Sequence, residues 1–250
     1  ATAPTLTSLS PAAGPTSGGT AVTLTGTSFT GATGVTFGTT AASAFTVVSA
    51  TEITATAPAG TGTVDVTVTT PDGSNVNAGI GNDFTYVTAP TVASLSPATG
   101  PATGSTVVTL TGTDFTGATG INFGSNAASA FTVVSTTQIS ATAPAGAGTV
   151  ELTVTTPGGT SAIAGAGNDF TYVSAPVVTS LSPVAGPVAG GTVVTLTGTD
   201  FTGATSVLFG VTPATGFTVD SVTQITATAP AGSGPAYVVV ETASGVSVSG

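Results

Sequence analysis

The sequence predicts an all-β protein made of three tandem β-sandwich domains in an elongated array, and three observations carry that expectation. The chain repeats every 86 residues, so that Pro4, Pro90 and Pro176 open three copies and Phe29, Phe115 and Phe201 fall at matching places. Within each copy, apolar and hydroxyl-bearing residues alternate with period two, the pattern of a strand with one buried face. Gly- and Pro-rich punctuation separates these runs, and no stretch carries helical periodicity. About seven or eight short strands per copy fit two stacked antiparallel sheets.

The first copy supplies the elements in order. Leu6 to Ser10 reads as the opening strand, and Gly14-Pro15 with Gly18-Gly19 as turn chemistry after it. Val22-Thr23-Leu24-Thr25 alternates, and further strands are expected at Gly34 to Phe37, Phe45 to Ser49 and Glu52 to Ala57. Gly60-Thr61-Gly62 reverses the chain before the alternating run Val64 to Thr69, and Pro71-Asp72-Gly73 reverses it again, because Gly and Pro supply the positive or preset φ that reversals need. Phe84 to Val87 closes the copy. The inward set is then Val22, Leu24, Phe29, Val35, Phe37, Phe45, Val47, Ile53, Val64, Val66, Val68 and Phe84. Burial of one large apolar side chain contributes about 1.5–3 kcal/mol, so each copy is expected to fold alone.

The repeat divides the chain into domains 1–87, 88–173 and 174–250. The connections Val87 to Pro90 and Val173 to Pro176 are short and end in Pro, which fixes φ and limits hinge freedom. End to end, three such units would span roughly 100 Å.

Composition excludes whole classes of function. The 250 residues include no Lys, Arg, His, Cys, Met or Trp, and ten carboxylates give a formal charge of −10. Nucleic-acid binding draws on cations that displace phosphate counterions, so no nucleic-acid partner is expected. Anionic membrane surfaces are disfavoured likewise, and the aliphatic stretch Val238–Val240 is far shorter than the ~20 residues of a spanning helix, so no membrane insertion is expected. Without His no Ser–His–Asp triad can form, and Asp65, Glu151 and Glu241 lie singly on one repeated strand, so no enzyme activity and no organic cofactor are expected. Calcium is the one metal weighed, at Asn82-Asp83 and Asn168-Asp169 beside the domain junctions. Each place offers one carboxylate where a site takes about six oxygens, and the alternative is an Asn-Asp turn before the last strand. The absence of an initiator Met and of a basic-then-apolar leader suits either a processed mature protein or a segment excised from a longer chain.

The run Pro4-Thr-Leu-Thr-Ser-Leu-Ser-Pro11, then Gly14-Pro15, Gly18-Gly19-Thr20, Val22-Thr23-Leu24-Thr25-Gly26 and Phe29, resembles the opening of an IPT/TIG domain. It recurs from Pro90 to Phe115 and from Pro176 to Phe201, and Phe37-Gly38, Ile53 to Pro58 and Phe84-Thr85-Tyr86 also resemble that family. The resemblance implies an immunoglobulin-like fold for each copy. Such domains occur in bacterial surface proteins and adhesins, beside polysaccharide enzymes, in receptor ectodomains and in transcription factors whose DNA-contacting loops are basic. With no basic residue in this chain, that last branch drops out. The expected function is that of a non-enzymatic extracellular structural protein at the cell surface, the subunit of a homopolymeric filament or stalk that associates head to tail. The alternative is an adhesin or carbohydrate-binding module of a larger surface protein or polysaccharide enzyme, with a glycan or host surface as partner.

Two asymmetries bear on assembly. Leu208 replaces Thr36 and Asn122, Tyr237 replaces Asp65 and Glu151, Val239 replaces Thr67 and Thr153, and Val211 replaces Thr39 and Ser125. All four changes add apolar surface at outward positions, so Leu208, Val211, Tyr237 and Val239 are the candidate subunit interface. Gly250 aligns with Ala164 and Ala78, so the third copy is expected to lack its last strand, the counterpart of Gly165 to Tyr172. Such an edge is open to β-addition by another chain, or the sequence is an excerpt from a longer array.

Overall fold

The computed structural model of the chain describes residues 2–76, 81–163 and 167–249, and those residues form three β-sandwich units in series. The first unit comprises β1 (Thr5–Ser10), β2 (Ala13–Pro15), β3 (Ala21–Thr27), β4 (Gly34–Phe37) and β5 (Thr40–Ala41), followed by β6 (Ala44–Ser49), β7 (Glu52–Thr56), β8 (Gly62–Thr70), β9 (Gly73–Ser74) and β10 (Asp83–Val87). The second unit repeats them as β11 (Thr91–Ser96), β12 (Thr99–Pro101), β13 (Val107–Thr113), β14 (Gly120–Phe123) and β15 (Asn126–Ala127), then β16 (Ala130–Ser135), β17 (Gln138–Thr142), β18 (Gly148–Thr156), β19 (Gly159–Thr160) and β20 (Asp169–Val173). The third unit has β21 (Val177–Ser182), β22 (Val193–Thr199), β23 (Ser206–Phe209), β24 (Thr212–Pro213) and β25 (Gly216–Ser221). It ends with β26 (Gln224–Thr228), β27 (Val238–Thr242), β28 (Gly245–Val246) and β29 (Val248–Ser249).

In the first unit one sheet has the order β1-β3-β7-β6, and the facing sheet has β2-β10-β8-β4-β5 with β9 beside β8. The second unit has the same two orders. Alternation is what buries one face of each strand: along β3, Val22 and Leu24 turn inward while Thr23 and Thr25 turn out. Gly26 also faces inward, because a methyl there would lie 2.5 Å from Phe29 Cζ and would meet the Thr5 carbonyl. The β1 register shifts between Leu6 and Ser8 at the same place, so this strand glycine marks a bulge and a close approach of backbone. Gly112 and Gly198 repeat the contact with Phe115 and Phe201.

The cores sit between the sheets, and the deepest large side chains include Phe29, Phe84, Phe115, Phe170 and Phe201. Phe84 meets both Phe37 and Tyr86 edge to face, with ring centroids 5.1 Å apart in each pair. Three features depart from the sequence expectation. Ala13–Pro15, expected as turn, is a strand that runs parallel to β10, so the sandwich is not purely antiparallel. Phe45 and Val47 are half-buried because β6 is an edge strand, and Val64 is half-buried as well. Ala55, Ala57 and Tyr86 complete the core instead.

Thr88 to Pro90 alone separate β10 from β11, and Ser174 to Pro176 alone separate β20 from β21. In the third unit the sheet order is β25-β26-β22-β21-β29 on one side but only β24-β23-β27-β28 on the other. Among the described residues, no strand there answers to β10 or to its parallel neighbour β2.

Candidate functional site

In the first two units the closing strand is held from both sides. Strand β10 pairs antiparallel with β8 and parallel with β2, and β20 does the same with β18 and β12. The Val66 and Leu152 N–H groups donate to the carbonyls of Asn82 and Asn168, at 2.7 and 2.8 Å. On the other edge the Thr85 and Thr171 N–H groups donate to the carbonyls of Ala12 and Ala98, both at 2.9 Å. Two glycines make room for the rings of the strand. A methyl at Gly14 would lie 2.9 Å from Phe84 Cζ, and one at Gly60 would lie 2.5 Å from Tyr86 Cε2. Gly100 and Gly146 face Phe170 and Tyr172 in the same manner.

The third unit keeps both glycines, as Gly186 and Gly232, without the rings. At Gly186 the three atoms nearest to an added methyl all belong to Thr192, and at Gly232 it would meet nothing within 4 Å. A solvent-open groove of about 700 Å³ runs where the closing strand lies in the other units, with Gly186 and Gly232 in its wall and Phe209 in its floor. Phe209, the counterpart of Phe37 and Phe123, is half-buried, whereas those two are only 2% and 1% exposed. Apolar side chains crowd the rim: Val184, Val211 and Tyr237 are 86%, 95% and 73% exposed.

The four residues expected at a subunit interface divide into two pairs. Val211 and Tyr237 line the groove. Leu208 and Val239 are half-buried and lie directly opposite each other across β23 and β27, on the strand face where the first unit has Thr36 opposite Thr67. Sequence reasoning missed Val184, Phe209 and the two glycines. The signal available for them was that Gly14 and Gly60 recur a third time while their aromatic partners recur only once.

The remaining chemistry is sparse. Asp83 sits opposite Asp65 across β10 and β8, and the hydrogen bond between the two carboxyls, with smaller contributions from desolvation and like-charge repulsion, holds the Asp83 pKa above the ordinary 3.8. Asp169 faces Glu151 at the same register in the second unit. Asn82 and Asn168 are buried, and the Asn168 amide donates to the Leu152 carbonyl at 3.2 Å. Among the described residues no three His, Cys, Asp or Glu side chains come together where a metal ion could sit. No helix there is long and apolar enough to cross a membrane.

Comparison with known proteins addresses the fold. A family model of the IPT/TIG domain matches residues 4–86, 90–172 and 176–250. No curated protein matches the sequence. The Plexin A4 full extracellular region superposes with a TM-score of 0.50 at 22% identity, over 94% of this chain and 22% of that one. SGBP-B from a complex xyloglucan utilization locus in Bacteroides uniformis gives 0.31 at 24% identity, over 80% of this chain and 57% of that one. FdeC, an Escherichia coli adhesin, gives 0.34 at 18% identity, over 96% and 91%. This chain spans less than two thirds of the first two structures. With all three sandwiches inside the family matches, the chain belongs to the IPT/TIG domain family.

Proposed function

We propose that the chain is a non-enzymatic extracellular structural protein, a stalk or the subunit of a homopolymeric surface filament that associates head to tail. The observation that carries this reading is the apolar surface of the third unit, where Val211 and Tyr237 are largely exposed at positions that hold Thr39 or Ser125 and Asp65 or Glu151 in the other units. Exposed apolar area of that kind marks a contact surface more often than it marks a free one. The sequence offers the surface little alternative chemistry, since it holds no His, Cys, Lys or Arg. Leu208, Val211, Tyr237 and Val239 form the contact, and the short Pro-ended connections limit bending between units. The extracellular setting follows from the same economy: hydroxyls and carboxylates keep the surface hydrated, and tandem sandwiches serve as spacers.

Negative-stain electron microscopy and sedimentation at physiological salt test the proposal. Concentration-dependent end-to-end assembly is expected, and the pair of substitutions Val211→Ser and Tyr237→Glu, which restore the residues of the second unit, should abolish it. Dispersed monomers at all concentrations would overturn the filament. The second reading, an adhesin or carbohydrate-binding module, is favoured by Tyr237, a largely exposed aromatic beside a groove and a platform for stacking on a sugar ring. Binding on a glycan array that disappears in Tyr237→Ala would support it.

A further inference from the structure

We propose that the connection between the first and second units is a latched joint, held by Thr88, Asp114 and Gly158, and that the chain bends instead at Ser174, between the second and third. The difference belongs to the single chain and holds whether or not copies of it assemble.

Every residue of the first connection is held by one unit or the other. The Val87 carbonyl accepts from the Thr16 N–H at 3.2 Å, which ties it to the first unit. The Thr88 hydroxyl donates to Asp114 Oδ2 of the second unit at 2.9 Å. Ala89 precedes Pro90, which confines it to extended backbone, and its methyl faces Gly159 in the β18–β19 turn. Asp114 is steadied in turn: the Thr113 hydroxyl donates to the same oxygen at 3.3 Å and shares a hydrogen bond of 2.9 Å with Thr91. At the equivalent place in the first unit Thr2 meets Ser28 at 3.1 Å, so a threonine here reaches the residue after β3 or β13 in both units.

Gly158 supplies the space for the latch. It is buried in the β18–β19 turn, where a methyl would collide with the Thr88 carbonyl oxygen and lie 2.9 Å from that of Val87. The turn itself does not require this glycine. The left-handed residue of the turn is Gly159, at φ 115°, and at the place of Gly158 the first unit has Asp72 and the third has Ser244. The missing side chain is explained by the connection that crosses it.

The second connection keeps the outer anchors and loses the middle one. The Val173 carbonyl accepts from the Ala102 N–H at 3.0 Å, and Ala175 precedes Pro176 and faces Gly245. Ser174 between them makes no hydrogen bond to Asp200 among the described residues. It lacks the γ-methyl that restricts χ1 of Thr88. Val177 stands in place of Thr91, so the hydroxyl chain that steadies Asp114 has no counterpart beside Asp200, and Ser244 brings a side chain where Gly158 has none. Three substitutions in one neighbourhood thus leave the backbone torsions of one residue, Ser174, without an anchor.

Because the chain has no Cys, spin labels can be placed in pairs on the whole 250-residue protein. Thr46→Cys with Thr132→Cys reports on the first connection and Thr132→Cys with Thr218→Cys on the second; the three sites are exposed and occupy the same place in each unit. Double electron–electron resonance should give a distance distribution at least about twofold narrower for the first pair, since fixing a residue in one backbone well removes most of its conformers. Gly158→Ala and Thr88→Val should each broaden the first distribution toward the width of the second and leave the second unchanged. Gly120→Ala, in open space in the same unit, should change neither. The triple substitution Ser174→Thr, Val177→Thr and Ser244→Gly should narrow the second distribution. Equal widths in the parent chain, or a first distribution unmoved by both Gly158→Ala and Thr88→Val, would overturn the latch.

Discussion

Tyr86 and Tyr172 bury their phenol oxygens with no hydrogen-bond partner among the described residues, and the same desolvation raises both pKa values. A buried polar group left unpaired costs about 1–3 kcal/mol. Tyr86→Phe is therefore expected to leave the first unit as stable or more stable, read as an unchanged or higher denaturant midpoint. The Asp83–Asp65 contact gives a pH signature with a definite sign. Because the folded pKa of Asp83 lies above its ordinary value, the folded unit binds the proton more tightly than the unfolded chain. Stability of the first unit should rise as pH falls from neutrality into the carboxylate range, and that gain should be lost again as pH rises through the folded pKa. Amide exchange along β8 and β10, corrected for intrinsic rates, would show the dependence, and Asp65→Asn should flatten it. At this scale the sequence was informative where alternation was strict, as at Val22, Leu24 and Val66. It marked Gly60 and Gly14 only as turn residues, whereas each also makes room for a ring that arrives from elsewhere in the chain.

Among the elements, β4 and β23 provide a matched comparison. Phe37 on β4 is sealed under Phe84, while Phe209 on β23 has no ring stacked on it among the described residues and is half-buried. Phe37→Ala should cost about 3–5 kcal/mol, the usual figure for a core aromatic. Phe209→Ala should cost roughly half of that, because less of the ring leaves water on folding. Exchange rates measured along each strand in the two variants would separate the values. The strands themselves could be read from period-two runs and from the glycine and proline punctuation between them. Ala13–Pro15 could not, since Ala-Gly-Pro has no alternation and becomes a strand only because β10 lies alongside. Phe45 illustrates the complementary error: its alternation is regular, but pattern alone does not reveal that β6 lies at the edge of its sheet.

For the molecule as a whole, the three units are unequal. Twelve buried apolar residues make up each of the first two cores, against nine in the third among the described residues. Thermal unfolding of the chain is expected in steps, with the third unit first and the other two close together, as differential scanning calorimetry would record. The 86-residue period made the triplicate plan legible from Pro4, Pro90 and Pro176 alone. The groove was legible only as a gap in an alignment, because its walls, Val184 on one side and Tyr237 on the other, come from segments about 50 residues apart.

Parallel pairing of β2 with β10 has a mechanical consequence. The two strands point the same way but lead to opposite ends of their unit, so tension drawn through the chain slides them past each other along their axes. Their hydrogen bonds are then loaded together in shear, where an unzipping geometry would load them one at a time. The second unit carries the same clamp in β12 and β20, whereas among the described residues the third has only the shorter, two-residue parallel pair of β21 with β29. A single molecule stretched from end to end should therefore yield once at low force and twice at high force, and three equal rupture events would contradict that picture.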